Sequence, residues 1–305
     1  MQMNLSHFWK NRIATILKII SFIFYAWNDA LCKKLTTDIQ LPLATHSVIF
    51  YQYSIAACIL VPLYFNRKEK FRAVIGLRYH LLRAILCTCA IILLNQSFTV
   101  MPLSYAVGFN LLSPLITLAW AYLWLREPLS NKKMFALGIS AIAYIILIDS
   151  SKYQSTTILS LQQCLKPTIA LLCFQANTLI TKQLLHLGEN NTNLTLTLFL
   201  LIPTLLLPFE LQYLSNLSFN QLAVIACMAI NVCVATFALH QAIAMADLTF
   251  LLPFGFLKYS IVTFFGYLYF LEIPHTNHML GIALTMSVLY YINQPDQPAL
   301  KPAAP

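Results

Sequence analysis

Residues 94–127 read LNQSFTVMPLSYAVGFNLLSPLITLAWAYLWLRE, and residues 239–272 read LHQAIAMADLTFLLPFGFLKYSIVTFFGYLYFLE. Aligned without a gap, Leu94 meets Leu239, Gln96 meets Gln241, Leu103 meets Leu248 and Phe109 meets Phe254. The match runs on through Leu112/Leu257, Ile116/Ile261 and Tyr122/Tyr267 to Glu127/Glu272. Both copies lie inside long apolar runs, so the chain reads as a duplicated membrane unit. Internal repeats of this kind mark secondary transporters, whose substrate sites lie between the repeats. Transport is therefore the function the duplication predicts.

Composition agrees. Of the 305 residues, 59% are hydrophobic and only 10% charged, too little polar surface for a water-soluble domain of this size. The net charge of +9 comes from basic residues gathered in short interhelical stretches such as Arg67-Lys68-Glu69-Lys70-Phe71-Arg72. That placement is a topology signal and calls for no nucleic-acid partner. The eight cysteines fall in or beside apolar runs with no C-x-x-C spacing, which suits small apolar fillers better than metal ligands.

Read with a window of about 20 residues, the hydropathy predicts an all-α polytopic membrane protein with ten transmembrane helices. The expected spans are 13–35, 44–65, 80–101, 103–125, 132–149, 163–186, 193–213, 221–245, 248–271 and 276–293. Lys10, Arg12, Arg67, Lys68, Lys70, Arg72, Arg78, Arg126, Lys132 and Lys133 fall on one side; Lys33, Lys34 and Lys152 fall on the other. This bias puts both termini in the cytoplasm. Lys10 and Arg12 precede an apolar run too long for a cleaved signal, so residues 1–12 read as a cytoplasmic, interfacial N-terminus beside a retained first helix. The first five-helix repeat is expected at 13–149, a linker at 150–162, the second repeat at 163–293 and a cytoplasmic tail at 294–305. Five is odd, so the second repeat enters from the opposite side and the two are inverted. Pro114 and Pro253 in the fourth and ninth helices predict bends facing a central cavity lined by helices one, three, four, six, eight and nine.

Lys258 is the sharpest candidate, because a Lys near a helix centre costs about 2.5–3.5 kcal/mol in the bilayer unless something offsets it. Either it faces the cavity and meets an anionic group of the substrate, or it forms a permanent ion pair, with Asp29 the best-placed partner. Asn28 and Asp29 sit in the first helix, with Asn177 at the comparable place in the second repeat. Asp29 is read either as a ligand for a proton or cationic group, or as a charge at the helix end. The adjacent residues Gln96 and Asn95 match Gln241 and His240, and Asn110 and Gln175 sit near mid-depth. Each is either interhelical glue or a ligand contact. Tyr105, Phe254 and Tyr259 are the candidate aromatic contacts, suited to a flat or cationic group. Glu127 and Glu272 end helices four and nine and read as architectural. No phosphate loop, dinucleotide glycine pattern or nucleophile elbow is present, so no cofactor and no enzymatic activity are expected. His275 and His278 give only an H-x-x-H pair, and no metal site is expected.

The ten-helix duplicated plan and Trp124-Leu125-Arg126-Glu127-Pro128-Leu129 resemble the EamA type of the drug/metabolite transporter superfamily, with Arg126 and Ile273 departing from its Gly-Glu-Pro-like helix endings. The resemblance implies a multi-pass carrier in a bacterial inner membrane. Ala26-Trp27-Asn28-Asp29-Ala30, Leu82-Arg83 and Ala244-Met245-Ala246-Asp247-Leu248-Thr249 are similar to the S-adenosylmethionine uptake transporters of intracellular bacteria. Those transporters carry an Arg and an acidic residue where this chain has Gly255 and Lys258, a reversed charge that points to an anionic or zwitterionic metabolite such as an amino acid. An S-adenosylmethionine-type carrier and a non-transporting receptor or partner subunit are the alternatives. A coupled proton and a homodimer complete the expectations.

Overall fold

The computed structural model describes residues 2–38, 42–66, 76–113, 161–213, 217–251 and 254–272, with isolated positions between 116 and 142 and between 280 and 287. The expected helices at 132–149 and 276–293, together with Pro114, Glu127, Pro253, His275 and His278, lie outside the described residues.

The first 36 residues contain no Pro or Gly, and α1 accordingly runs unbroken over Gln2–Thr36, taking the expected interfacial N-terminus into the same helix. It is followed by α2 (Thr45–Asn66), α3 (Leu77–Phe98) and α4 (Leu103–Gly108), which tightens into a 3₁₀ turn at Phe109–Leu112. Beyond the gap come α5 (Leu161–His186), α6 (Asn191–Tyr213) and α7 (Phe219–Met245). Within the ninth expected helix the described residues form α8 (Leu248–Leu251) and α9 (Gly255–Phe270), the latter starting after Phe254 at its N-cap.

Four of these helices are long and apolar enough to cross a bilayer: Trp9–Thr36, Leu77–Phe98, Asn191–Leu211 and Phe219–Met245. Large apolar side chains face outward, among them Ile16, Ile85, Ile230, Phe264 and Leu268, while Arg83, His80, Asn95, Gln52 and Glu210 are buried. This inside-out distribution suits a bundle solvated by lipid, whose polar groups must find partners within it. The chain is a multi-pass membrane protein.

The helices pair across the two halves. The most extensive contacts are α1 with α7, α3 with α5, and α2 with α6. Each pair is antiparallel. Leu31 and Leu35 near the end of α1 cluster with Ile225 and Met228 near the start of α7, and Ala14 clusters with Ala242 and Ile243. Leu94 and Phe98 of α3 meet Ala170 of α5, and Ser47 at the start of α2 donates to Glu210 near the end of α6 at 2.7 Å. Small residues at these crossings let the backbones approach closely.

Each end of the bundle carries a lysine bound to helix C-terminal carbonyls. Lys33 donates to the Met101 carbonyl at 3.2 Å and to Glu272 Oε1 at 2.6 Å. Lys182 donates to the carbonyls of Ile243 and Ala246, both at 2.9 Å. The positive charges thus meet the negative ends of α3 and α7.

α7 is begun by a capping box: Gln221 N–H donates to the Ser218 hydroxyl at 3.3 Å, and Ser218 N–H donates back to Gln221 Oε1 at 2.9 Å. Replacing Ser218 by Ala is expected to cost about 1 kcal/mol, read as a lower unfolding midpoint in detergent. An unchanged midpoint would show that packing alone sets this helix end.

Candidate functional site

Between the paired helices lies a cavity of about 210 Å³. Along α1 its wall extends from Asp29 to Lys18, roughly 16 Å at 1.5 Å per residue. Along the opposite side it runs from Lys258 to Leu248. The cavity therefore reaches toward the end where Lys182 sits, while the opposite end is shut by the Lys33–Glu272 contact and by Leu31, Leu35 and their neighbours.

Of the candidate residues, Asn28, Asp29, Asn110, Gln175, Asn177, His240 and Lys258 line this cavity. Five others lie off its wall. Gln96 and Tyr259 follow Asn95 and Lys258 in sequence, and about 100° of helical rotation turns them away. Tyr105 is buried among Leu94, Phe98 and Leu103, and Phe254 packs behind Phe22. Gln241 accepts from Asn191 Nδ2 at 2.7 Å and faces a separate polar pocket shared with Lys182 and Glu189.

Helices α2 and α6 belong to the wall as well, a correction to the expected six-helix lining. Gln52 of α2 donates to Asn28 Oδ1 at 2.8 Å and to the Met228 carbonyl at 3.3 Å, tying α1, α2 and α7 together at the cavity floor. A lone amide in an otherwise apolar run was the available signal; it is the same signal that picked out Gln175. Tyr25 and Thr236, also on the wall, share a 2.8 Å hydroxyl contact from α1 to α7. Neither residue type stands out in a membrane helix until its depth and facing are known.

The wall repeats itself. At the 145-residue offset of the duplicated stretch, Asn95 and His240 both line it, as do Leu94 and Leu239. Asn110 answers Gly255, and Ser113 answers Lys258. In α1 and α5, at an offset of 149, Tyr25 answers Phe174, Asn28 answers Asn177 and Asp29 answers Thr178. Among these matched pairs charge enters at two positions, Asp29 and Lys258, while Lys18, also on the wall, has the uncharged Pro167 at the corresponding place. Asp29 has a hydroxyl as its counterpart, and so has Lys258.

Those two charges face each other. Lys258 Nζ lies 3.3 Å from Asp29 Oδ2 and 5.8 Å from the centre of the Tyr25 ring. The ammonium approaches that oxygen off the hydrogen-bonding direction, so charge rather than a directed bond holds the pair. At an effective dielectric near 20 the gross attraction is roughly 5 kcal/mol, largely offset by the cost of taking both ions out of water. Both side chains stay partly accessible from the cavity, at 19% and 11%. The pairing that the sequence raised for Lys258 is thus present, and so is the cavity-facing placement. Among the described residues no group of His, Cys, Asp and Glu is arranged to hold a metal ion.

Residues 12–149 match the model of the EamA-like transporter family. A riboflavin transporter of Vibrio cholerae serotype O1 is 24% identical over 270 residues, covering 84% of this chain and 85% of that protein. The fold is similar to a solved crystal structure, named only as that of a protein, with a TM-score of 0.68 at 11% identity over 92% of this chain and 97% of that one.

Proposed function

We propose, from the match of residues 12–149 to the EamA-like transporter family, that the chain carries a small zwitterionic or anionic metabolite, an amino acid or related compound, across a bacterial inner membrane by alternating access. The observation that carries this reading is the Asp29–Lys258 pair on the cavity wall. A zwitterion offers each partner a replacement: its ammonium to Asp29 and its carboxylate to Lys258. The pair then opens without leaving a charge unmatched, which is the differential interaction a ligand needs to shift a conformational equilibrium.

The architecture in this proposal is ten helices in two inverted five-helix repeats, residues 13–149 and 163–293, with both termini cytoplasmic. The cross-half pairing supports it. Exchanging the repeats turns α1–α7 into α5–α3 and returns α2–α6 to itself, as a two-fold axis in the membrane plane requires. The matched wall positions support an axis through the cavity. With the start of α1 in the cytoplasm, this conformation faces inward. A proton is the proposed coupling ion, and a homodimer the proposed assembly.

A second reading follows from the riboflavin transporter relative. Tyr25 and Phe174, counterparts in the two halves, offer aromatic faces to a flat ring system. Purified protein in liposomes separates the readings. Labelled zwitterionic amino acids, S-adenosylmethionine and riboflavin are supplied with and without a pH gradient. Saturable amino-acid flux supports the main proposal; riboflavin flux alone supports the second. Flux of none of them, with folded and inserted protein, would favour a receptor or partner subunit and sink the transport reading.

A further inference from the structure

The wall of the cavity on α3 is a stripe: Cys87, Ile91, Leu94 and Asn95, spaced as one helical face. Continued one and two turns toward the helix start, the same stripe reaches Arg83 and His80. Beyond them lies the second polar pocket, lined by Glu189, Asn191 and Gln241 among others. The α3 stripe lines only the first cavity; it meets the second through the His80–Glu189 approach, and a layer of buried polar groups lies between the two.

Most of that layer is mutually satisfied. His80 Nε2 lies 3.7 Å from Glu189 Oε2, and Glu189 Oε1 accepts from Asn193 at 2.9 Å. Thr197 meets His80 Nδ1 at 2.8 Å, and Thr195 meets His240 Nδ1 at 2.8 Å. His80 Nε2 and Asn191 Oδ1 make no hydrogen bond among the described residues, and Arg83 is the charged group left most open. It is 0% exposed, and its Nη2 donates to the Leu194 carbonyl at 2.8 Å, but Nε and Nη1 have no acceptor among the described residues. Of the buried or cavity-facing lysines, Lys258 meets Asp29, Lys33 meets Glu272, Lys182 meets two carbonyls, and Lys18 lies over the Phe22 ring at 4.9 Å. A guanidinium with five donors, one carbonyl acceptor and no carboxylate in contact is an expensive group to keep inside a membrane bundle, and intramembrane charges of this kind mark substrate paths.

We propose that Arg83 is a second anion-binding station, which receives the carboxylate or phosphate group of the substrate as it passes between the central cavity and the polar pocket beside Glu189. The donors left open on Arg83 are the fixed, planar kind that suit an oxyanion. Cys87 on the cavity side and His80 on the pocket side place the guanidinium between the two chambers. The station deepens the transport reading and rests on it for its purpose, though not for its chemistry. The pair at Asp29 and Lys258 takes both ends of a zwitterion; Arg83 takes the anionic end alone, which sets a direction of hand-over.

The test uses full-length protein in detergent and inorganic phosphate as the probe, with chloride balancing ionic strength. Phosphate is expected to raise the unfolding midpoint saturably. Arg83→Lys keeps the effect at reduced affinity, and Arg83→Gln weakens the apparent affinity at least about tenfold, the scale of a lost charge-assisted bond. No saturable effect on the parent protein, or the same effect in Arg83→Gln, overturns the proposal. Should Arg83→Gln fail to fold, Glu189→Gln decides. Removing the neighbouring carboxylate is expected to tighten phosphate binding several-fold, and unchanged or weaker binding overturns the station. Amino-acid flux by the parent protein is measured separately. Flux without an Arg83-dependent phosphate effect sinks the station alone, and a phosphate effect without flux sinks the transport reading alone.

Discussion

Lys258→Ala is expected to abolish transport and also to destabilise the protein, because it strands Asp29 inside the bundle. Breaking a fully buried pair by removing one partner costs about 3–5 kcal/mol. Here 19% of the Lys258 side chain is accessible, so cavity water screens part of the stranded charge and a loss of about 1–3 kcal/mol is expected. The double variant Asp29→Asn with Lys258→Gln removes both charges and keeps both shapes. It is expected to unfold within about 1 kcal/mol of the parent protein yet to carry no substrate, since a neutral wall offers a zwitterion nothing to exchange. Unfolding midpoints and liposome flux measured on all three proteins separate the structural from the functional share of the pair. Normal flux in either variant would remove the pair from the mechanism.

Glu272→Ala is expected to be the most destabilising single change at the closed end of the cavity. Its carboxylate holds three elements at once: Lys33 of α1 through Oε1, the Leu103 N–H at the start of α4 through Oε2, and α9, which it terminates. The chain turns back sharply to make this possible. Leu271 has φ 55°, a left-handed conformation that costs an ordinary residue roughly 1–2 kcal/mol, and Glu272 N–H then reaches the Gly266 carbonyl at 3.3 Å. Removing the carboxylate leaves Lys33 without its acid and α4 without its acidic cap, for a loss of about 3–4 kcal/mol. Glu272→Gln keeps an acceptor for Leu103 and should lose about half of that. Gly266→Ala reaches the same contact without touching a charge, because a Cβ there would stand 2.8 Å from Glu272 Oε2. If Glu272→Ala and the parent protein melt alike, the contact is incidental to closure of this end.

The fold was largely legible in the sequence. Apolar runs of helix length admit few structures in a bilayer, and the duplicated stretch predicted which positions would be counterparts. The first helix starts before the expected span, because nothing in residues 2–12 breaks a helix. The bend expected at Pro253 lies outside the described residues. The site was half legible. Asn28, Asn177, Gln175 and His240 line the cavity because polar groups in apolar helices tend to face inward. Gln241 obeys the same tendency but faces a different interior, Gln96 is half-buried off the wall, and a sequence cannot tell these apart. Glu272 was read as architectural, and its bonds to Lys33 and Leu103 fit that reading while adding the partners.

By itself the sequence determined that this chain lives in a membrane, that two of its apolar stretches echo each other, and that an ammonium group in the second stretch has no local counter-charge. Those conclusions depend on composition and period, which are properties of one strand of chain. Only the tertiary structure decided that Asp29, 229 positions away, stands 3.3 Å from that ammonium, and that Arg83 is buried with donors to spare. Which charges meet depends on how helices from different repeats turn toward one another. That turning is set by close packing between surfaces that are uniformly apolar in sequence, so it leaves no local trace to read.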